Sequence, residues 1–372
     1  MDIQEFFILF MCTHLVSCLT RLELCNEVPK FFPNFCEYPL AVKHCANLCD
    51  QTSKDSSLLH CGREPSIYLK RRRHRRIVGG RAGIEGQWPW HVSLRMNDYH
   101  ECGATILSKH LLITAAHCFD DNYTSTEPSN FSIVAGAFKK SVLGVKQQLL
   151  NIRKIMRHRG YKVDFYPRAD LNFVVATDDV AIIETDESIT LQDDNKDAIC
   201  LPDEHNLIPD NYSCFIVGWG LRKFLNTKRI PNKLYPEELN YAEITTVSTS
   251  ICNQEVSFNN TINSTMTICA GDSNATTSPC NKDSGGSLAC KKNGVWYING
   301  IISSGFKCGG PDAYSLYTNV RNYKRWMLET LFNDTSSTSG NDTSSTSGSV
   351  VNCYHMYVSF SFVIFKLFDN LF

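Results

Sequence analysis

Three polar residues of this chain stand where they could together run nucleophilic acyl transfer. Ser284 lies in Cys280-Asn281-Lys282-Asp283-Ser284-Gly285-Gly286, beside two glycines that let the backbone turn tightly and expose the hydroxyl. His117 lies in Thr114-Ala115-Ala116-His117-Cys118, directly after the apolar run Leu111-Leu112-Ile113. Asp179 opens a second apolar run, Val180-Ala181-Ile182-Ile183. A serine hydroxyl attacks a carbonyl efficiently when a base takes its proton, an acid orients that base, and donors receive the negative oxygen. Singly, each residue has an ordinary reading: a core histidine, a turn-capping aspartate, a loop serine. Together, in the order His, Asp, Ser, they supply base, orienting acid and nucleophile.

Such side chains need a rigid scaffold, and the sequence around them reads as β. Short alternating runs such as Trp90-His91-Val92-Ser93-Leu94, Ala104-Thr105-Ile106-Leu107 and Gly300-Ile301-Ile302-Ser303 are separated by turn-rich segments. Many short strands over roughly 250 residues fit a sandwich or barrel. Val320, Tyr323, Met327 and Leu331 recur at helical spacing, which predicts one amphipathic helix at the end of this body. The formal net charge of -1 argues against nucleic acid as a main partner. Seventeen cysteines point to an oxidising compartment. The Asn-x-Ser/Thr acceptors Asn122, Asn130, Asn211, Asn259, Asn263, Asn274, Asn333 and Asn341 suggest glycosylation on a secretory route.

Composition divides the chain into five segments. Residues 1–20 carry the apolar run Phe6–Leu19 and read as a signal peptide, although no lysine or arginine precedes the run. Residues 21–76 are rich in cysteine and end in the basic run Lys70–Arg76; residues 77–332 are the body. Residues 333–349 hold a tandem repeat, Asn333–Gly340 recurring as Asn341–Gly348, which has no means of burying a core and reads as a stalk. Residues 350–372 form a hydrophobic tail that resembles a GPI-attachment signal.

From Ile77 to about Leu331 the chain resembles the chymotrypsin-like (S1, trypsin-like) serine proteases. The matching segments are Arg76-Ile77-Val78-Gly79-Gly80, the histidine and aspartate segments, Cys214-Phe-Ile-Val-Gly-Trp-Gly220, Ile268-Cys269-Ala270-Gly271, the Ser284 loop and Leu316-Tyr317-Thr318-Asn319-Val320. The resemblance implies an all-β fold of two packed six-stranded antiparallel barrels with a C-terminal helix, preceded here by the small Cys-rich module. It implies Ser284 as nucleophile, His117 as general base, Asp179 as its orienting acid, and the N–H groups of Lys282 and Ser284 as the oxyanion hole. It also implies a zymogen, in which cleavage after Arg76 frees the Ile77 amine to pair with Asp283, since a buried charge needs a partner. The implied disulfides are Cys102–Cys118, Cys214–Cys290, Cys252–Cys269 and Cys280–Cys308, with Cys61–Cys200 tethering the propeptide. The pairing of Cys25, Cys36, Cys45 and Cys49 is left open.

The chain departs from the family around one cleft. Lys282 stands where the family has glycine; its N–H survives, but a side chain there strains the backbone, and the expected consequence is weakened activity. The implied specificity pocket is Ser278, Ser303, Gly305 and Ser315, with Ser304 in place of the usual tryptophan. No carboxylate stands at Ser278 to pair a basic side chain, so Arg/Lys specificity is not expected. The segment from His158 to Asp179 is longer than in trypsin and would border the cleft. Neither cofactor nor metal is expected, because Gly136-Ala137-Phe138-Lys139-Lys140 offers lysines where some relatives bind calcium through carboxylates. The expected partners are protein or peptide substrates and protein protease inhibitors, with possible membrane anchorage through the tail. The expected location is extracellular, secreted or at the cell surface. The rival expectation is a catalytically impaired homologue that acts as an extracellular binding protein.

Overall fold

Alternation of β-branched and small residues, punctuated by turns, builds two barrels in succession. The computed structural model describes residues 21–32, 34–51, 60–65, 80–120, 126–141, 144–166, 173–192, 195–203, 206–221, 234–255, 262–271, 277–305 and 314–333. The signal segment, Arg76, Ile77, Cys308, the stalk repeat beyond Asn333 and the tail lie outside them. So do the acceptors Asn122, Asn259, Asn274 and Asn341, whereas Asn130, Asn211, Asn263 and Asn333 are all exposed.

β1 (Arg81–Ala82) is a short edge piece. β2 (His91–Met96), β3 (Tyr99–Ile106), β4 (Leu111–Thr114), β5 (Phe131–Ala135) and β6 (Gln148–Arg157) follow. β7 (Lys162–Tyr166) and β8 (Phe173–Thr177) pair only with each other, as a hairpin inside the long segment before Asp179. With β9 (Ala181–Thr185), the first barrel closes in the order β2-β3-β4-β9-β6-β5. The second half comprises β10 (Ser213–Gly218), β11 (Asn240–Val247), β12 (Thr267–Ala270), β13 (Ser287–Lys292), β14 (Val295–Gly305) and β15 (Ser315–Asn319). These six form a ring β11-β10-β13-β14-β15-β12 that closes through β11–β12, and β1 adds to β11 on its outer side. All the ladders are antiparallel, so the all-β two-barrel expectation holds. Leu94 faces Cys102 and Arg95 faces His100, which leaves Glu101 as the extra residue of a β-bulge in β3.

Val92, Leu94, Ile106, Leu111, Leu112, Ile182 and Ile183 of the first barrel's strands are buried in one cluster; Ile216, Ile244, Leu288, Ile302 and Tyr317 of the second are buried in another. Each such side chain contributes roughly 1.5–3 kcal/mol on burial. Trp88, Trp90 and Trp296 meet edge-on or tilted, with centroids 5.5–5.9 Å apart. The body ends in a 3-10 turn, Val320–Tyr323, that runs into the helix Lys324–Asn333, and Val320, Tyr323, Met327 and Leu331 are all buried.

The Cys-rich module is helical. Helices Arg21–Glu27, Pro39–His44 and Ala46–Gln51 are too short to persist alone, and Cys25–Cys45 and Cys36–Cys49 staple them. The module packs on the terminal helix. The Phe332 ring stacks on His44 at 5.5 Å and lies 6.2 Å from Phe35, while Lys324 is buried with its Nζ 5.2 Å above Phe32 and 5.4 Å above Tyr38. Cys61–Cys200 ties the segment before the basic run to the body. Among the described residues no helix is long and apolar enough to cross a membrane.

Candidate active site

Strand register brings the histidine and the aspartate to one end of the first barrel. In the antiparallel β4–β9 ladder Thr114 faces Ala181, so three residues onward from Thr114 and two back from Ala181 arrive at the same rim. His117 sits there on the 3-10 turn Ala116–Phe119, after the small buried Ala115 and Ala116. Asp179 is fully buried and its carboxylate is surrounded by donors. Oδ2 accepts from His117 Nδ1 at 2.7 Å and from the Ser303 hydroxyl at 2.5 Å, and Oδ1 accepts from the His117 backbone N–H at 2.8 Å. The Thr318 hydroxyl donates to the Asp179 carbonyl at 2.8 Å, so the second barrel holds this residue through two side chains. Burial alone would raise the Asp179 pKa, but the His117 charge and these hydrogen bonds outweigh it and hold the carboxyl below its ordinary value. Burial likewise works to lower the His117 pKa; the Asp179 charge and hydrogen bond, helped by Asp120 and Glu101, outweigh it and raise the imidazole above 6.5. With Nδ1 engaged by Asp179, Nε2 is the nitrogen left to exchange a proton.

The Ser284 loop is tied to the same rim. Gly103 N–H donates to the Ser284 carbonyl at 2.8 Å, and Gly285 N–H donates to the Ile302 carbonyl at 2.9 Å. Gly103 follows Cys102, and Cys102–Cys118 bonds it to the neighbour of His117. Gly285 has φ +77, and a Cβ there would collide with Thr114 Oγ1 and the Gly103 carbonyl, so only glycine lets the half-buried Ser284 sit this close to β3 and β4. Beneath the loop, the buried Asp283 carboxyl accepts from Gly220 N–H at 2.7 Å and Cys280 N–H at 2.9 Å. A Cβ at Gly218 or Gly220 would occupy the space of that carboxyl. Burial pushes the Asp283 pKa up to about 7, since two amides only partly offset the lost water. No described residue forms an ion pair with it.

Lys282 adopts φ +78, the left-handed region that favours glycine. Two neighbours from β3 hold it. Its Nζ meets Glu101 at 2.5 Å, and His100 Nε2 donates to its carbonyl at 3.0 Å. The other ring nitrogen of His100 accepts from Ser93 at 2.8 Å, and burial pushes this imidazole down to about 3, so it is neutral.

Ser278 and Ser315 are fully buried, and Ser315 faces Gly305 across the β14–β15 ladder. The Ser304 hydroxyl is buried without a partner among the described residues. The Ser303 hydroxyl is turned to Asp179. On the far side, Val175 of β8 packs into a cluster with Cys252, Cys269, Tyr314 and Leu316. The structure pairs Cys102 with Cys118, Cys214 with Cys290, Cys252 with Cys269 and Cys61 with Cys200; Cys280 is also disulfide-bonded. Cys102, His117 and Cys118 come close enough to suggest a metal cluster, but the two sulfurs are bonded to each other and cannot ligate as thiolates. Sequence reasoning missed Thr318, His100 and Glu101. Thr318 lies within the matched segment Leu316–Val320 and the other two in no matched segment, and the role of each arises only across the fold.

The Trypsin family model matches residues 77–327. The chain is 33% identical over 253 residues to mouse "Transmembrane protease serine 11E", covering 68% of this chain and 54% of that protein. It is 30% identical over 262 residues to human "Testisin" (68% and 77%) and 31% identical over 266 residues to human "Serine protease 41" (70% and 78%). The chain spans about half the length of the mouse protein. A match that runs through both barrels and into the terminal helix shows that this chain belongs to the trypsin-like (S1) family of serine proteases.

Proposed function

We propose that this chain is a secreted or surface-anchored serine endopeptidase made as a zymogen. The observation that carries the reading is the buried Asp179 carboxylate on His117 Nδ1 at 2.7 Å, beside a nucleophile loop tied to the same rim. In the reaction Ser284 Oγ bonds to the scissile carbonyl carbon as its proton passes to His117 Nε2. The resulting oxyanion receives the N–H groups of Lys282 and Ser284. Collapse breaks the C–N bond, and Nε2 gives its proton to the leaving amine. Water, deprotonated by the same nitrogen, then attacks the acyl-enzyme and restores the Ser284 hydroxyl. Asp179 steadies the imidazolium without becoming protonated.

Activation follows cleavage between Arg76 and Ile77, in the basic run that resembles a proprotein-convertase site. The freed amine then supplies the cation that the buried Asp283 lacks among the described residues. The uncharged, buried Ser278 and Ser315 favour a modest uncharged substrate side chain over Arg or Lys. The signal segment, the sugar acceptors and the tail support an extracellular site with membrane anchorage, and proteins or peptides are the substrates. Inhibitors of the same chemical kind would be its natural regulators.

A second reading has its own observation. A lysine at φ +78 in the oxyanion peptide fits an impaired homologue that binds other proteins. One experiment separates the two: labelling of Arg76-cleaved protein by a fluorophosphonate probe, with Ser284→Ala as control, followed by peptide-library profiling. Peptidase activity predicts labelling that the control abolishes, with cleavage after small uncharged residues. Correctly processed protein that stays unlabelled would sink the peptidase reading.

A further inference from the structure

We propose that Glu101 is a positioning residue for the oxyanion hole, an ion-pair clamp that holds Lys282 in a conformation normally left to glycine. The inference rests on the peptidase reading above. A lysine at φ +78 pays a steric penalty, so something around it must over-determine the conformation. Two contacts do so. The Lys282 carbonyl is held by His100 and its ammonium by Glu101, so both the backbone and the tip of the side chain are fixed.

Consecutive residues of a regular strand point to opposite faces, and His100 and Glu101 could not both reach one residue. The β-bulge removes that conflict. Glu101 is its extra residue, between the Arg95–His100 and Leu94–Cys102 pairs, and the bulge re-aims its carboxylate toward the Ser284 loop. The partners' side chains are 29% and 26% exposed, so water screens this pair less than an open surface pair. The Glu101 charge also helps to raise the His117 pKa, which places it in the field of the reacting groups. The structure thus assigns the lysine and the bulged glutamate to one device. Either alone would be a liability, because an unclamped lysine would let the peptide turn its N–H away from the oxyanion.

A double-mutant cycle on Arg76-cleaved full chain tests this. Glu101→Gln should lower kcat and the fluorophosphonate labelling rate about 10- to 100-fold, approaching the loss of one oxyanion donor, with KM little changed. Lys282→Met should do the same from the other side, which covers the case in which Glu101→Gln fails to fold. On a Lys282→Gly background, where glycine adopts the conformation unaided, Glu101→Gln should leave kcat and the labelling rate unchanged at a pH above the His117 midpoint, its charge acting there only on that midpoint. Labelled wild type with unchanged Glu101→Gln, or an equal loss on both backgrounds, overturns the clamp while leaving the peptidase reading intact. Absence of labelling in both wild type and Lys282→Gly overturns the two together.

Discussion

At the scale of single residues, Asp179 is the most heavily constrained group in the site. Its carboxylate receives an imidazole, a peptide N–H and a hydroxyl. Hydrogen bonds to a charged group are worth roughly 1.5–3 kcal/mol each. Ser303→Ala should therefore lower kcat by about 10- to 100-fold with KM nearly constant, as steady-state kinetics on a peptide ester would show. The pH dependence has a definite sign. On the proposed mechanism His117 serves as base only when neutral, and its pKa is raised, so kcat/KM should climb with pH through a midpoint above 6.5. Asp179→Asn should move that midpoint down and reduce kcat by about four orders of magnitude, as in related triads. Legibility differed sharply at this scale. His117, Asp179 and Ser284 stand in short contiguous motifs, whereas Thr318 and Glu101 act across barrels or through a bulge, which no linear spacing reveals.

Elements carry the precision. The β4–β9 register delivers His117 and Asp179 to one rim, and the sequence showed this only as two apolar runs with polar ends. The strands and the terminal helix were readable because their apolar positions recur at periods of 2 and 3.6. The N-terminal module was not. Its helices of six or seven residues are set by disulfides and by contact with the body, so little periodicity can accumulate. The hairpin β7–β8 was likewise read only as extra length before Asp179. Contact with the terminal helix predicts that the module stays docked even without Cys61–Cys200. In a Cys61→Ser/Cys200→Ser chain cleaved after Arg76, residues 21–76 should co-elute with the body on gel filtration. Adding Phe332→Ala, which removes the ring under His44 and beside Phe35, should cost about 3–5 kcal/mol and release them.

For the whole molecule, Asp283 couples folding to pH in the uncut chain. Its folded pKa of about 7 exceeds the ordinary 3.8, so its contribution to stability is fully present below 3.8 and is lost as pH rises through 7. The full effect is on the order of 4 kcal/mol. In an uncleavable Arg76→Gln chain, Asp283→Asn should raise the urea midpoint at pH 8 and leave it nearly unchanged at pH 4. In the cleaved chain the same substitution should destabilise and inactivate, because the new amine loses its counter-ion.

The Cys61–Cys200 bond has a topological consequence. It closes a covalent ring with a sequence separation of 139, and the Arg76–Ile77 bond lies on that ring. Scission there sheds no fragment; it opens this one ring and leaves the two pieces joined through Cys61–Cys200, with the mass grown by a single water. The severed ring no longer restricts the unfolded chain, so a loop-closure contribution of about 5 kcal/mol disappears with the cut. On the proposed maturation, the cut would remove this constraint on the unfolded ensemble as the Ile77 amine met Asp283, exchanging an entropic tether for an electrostatic one.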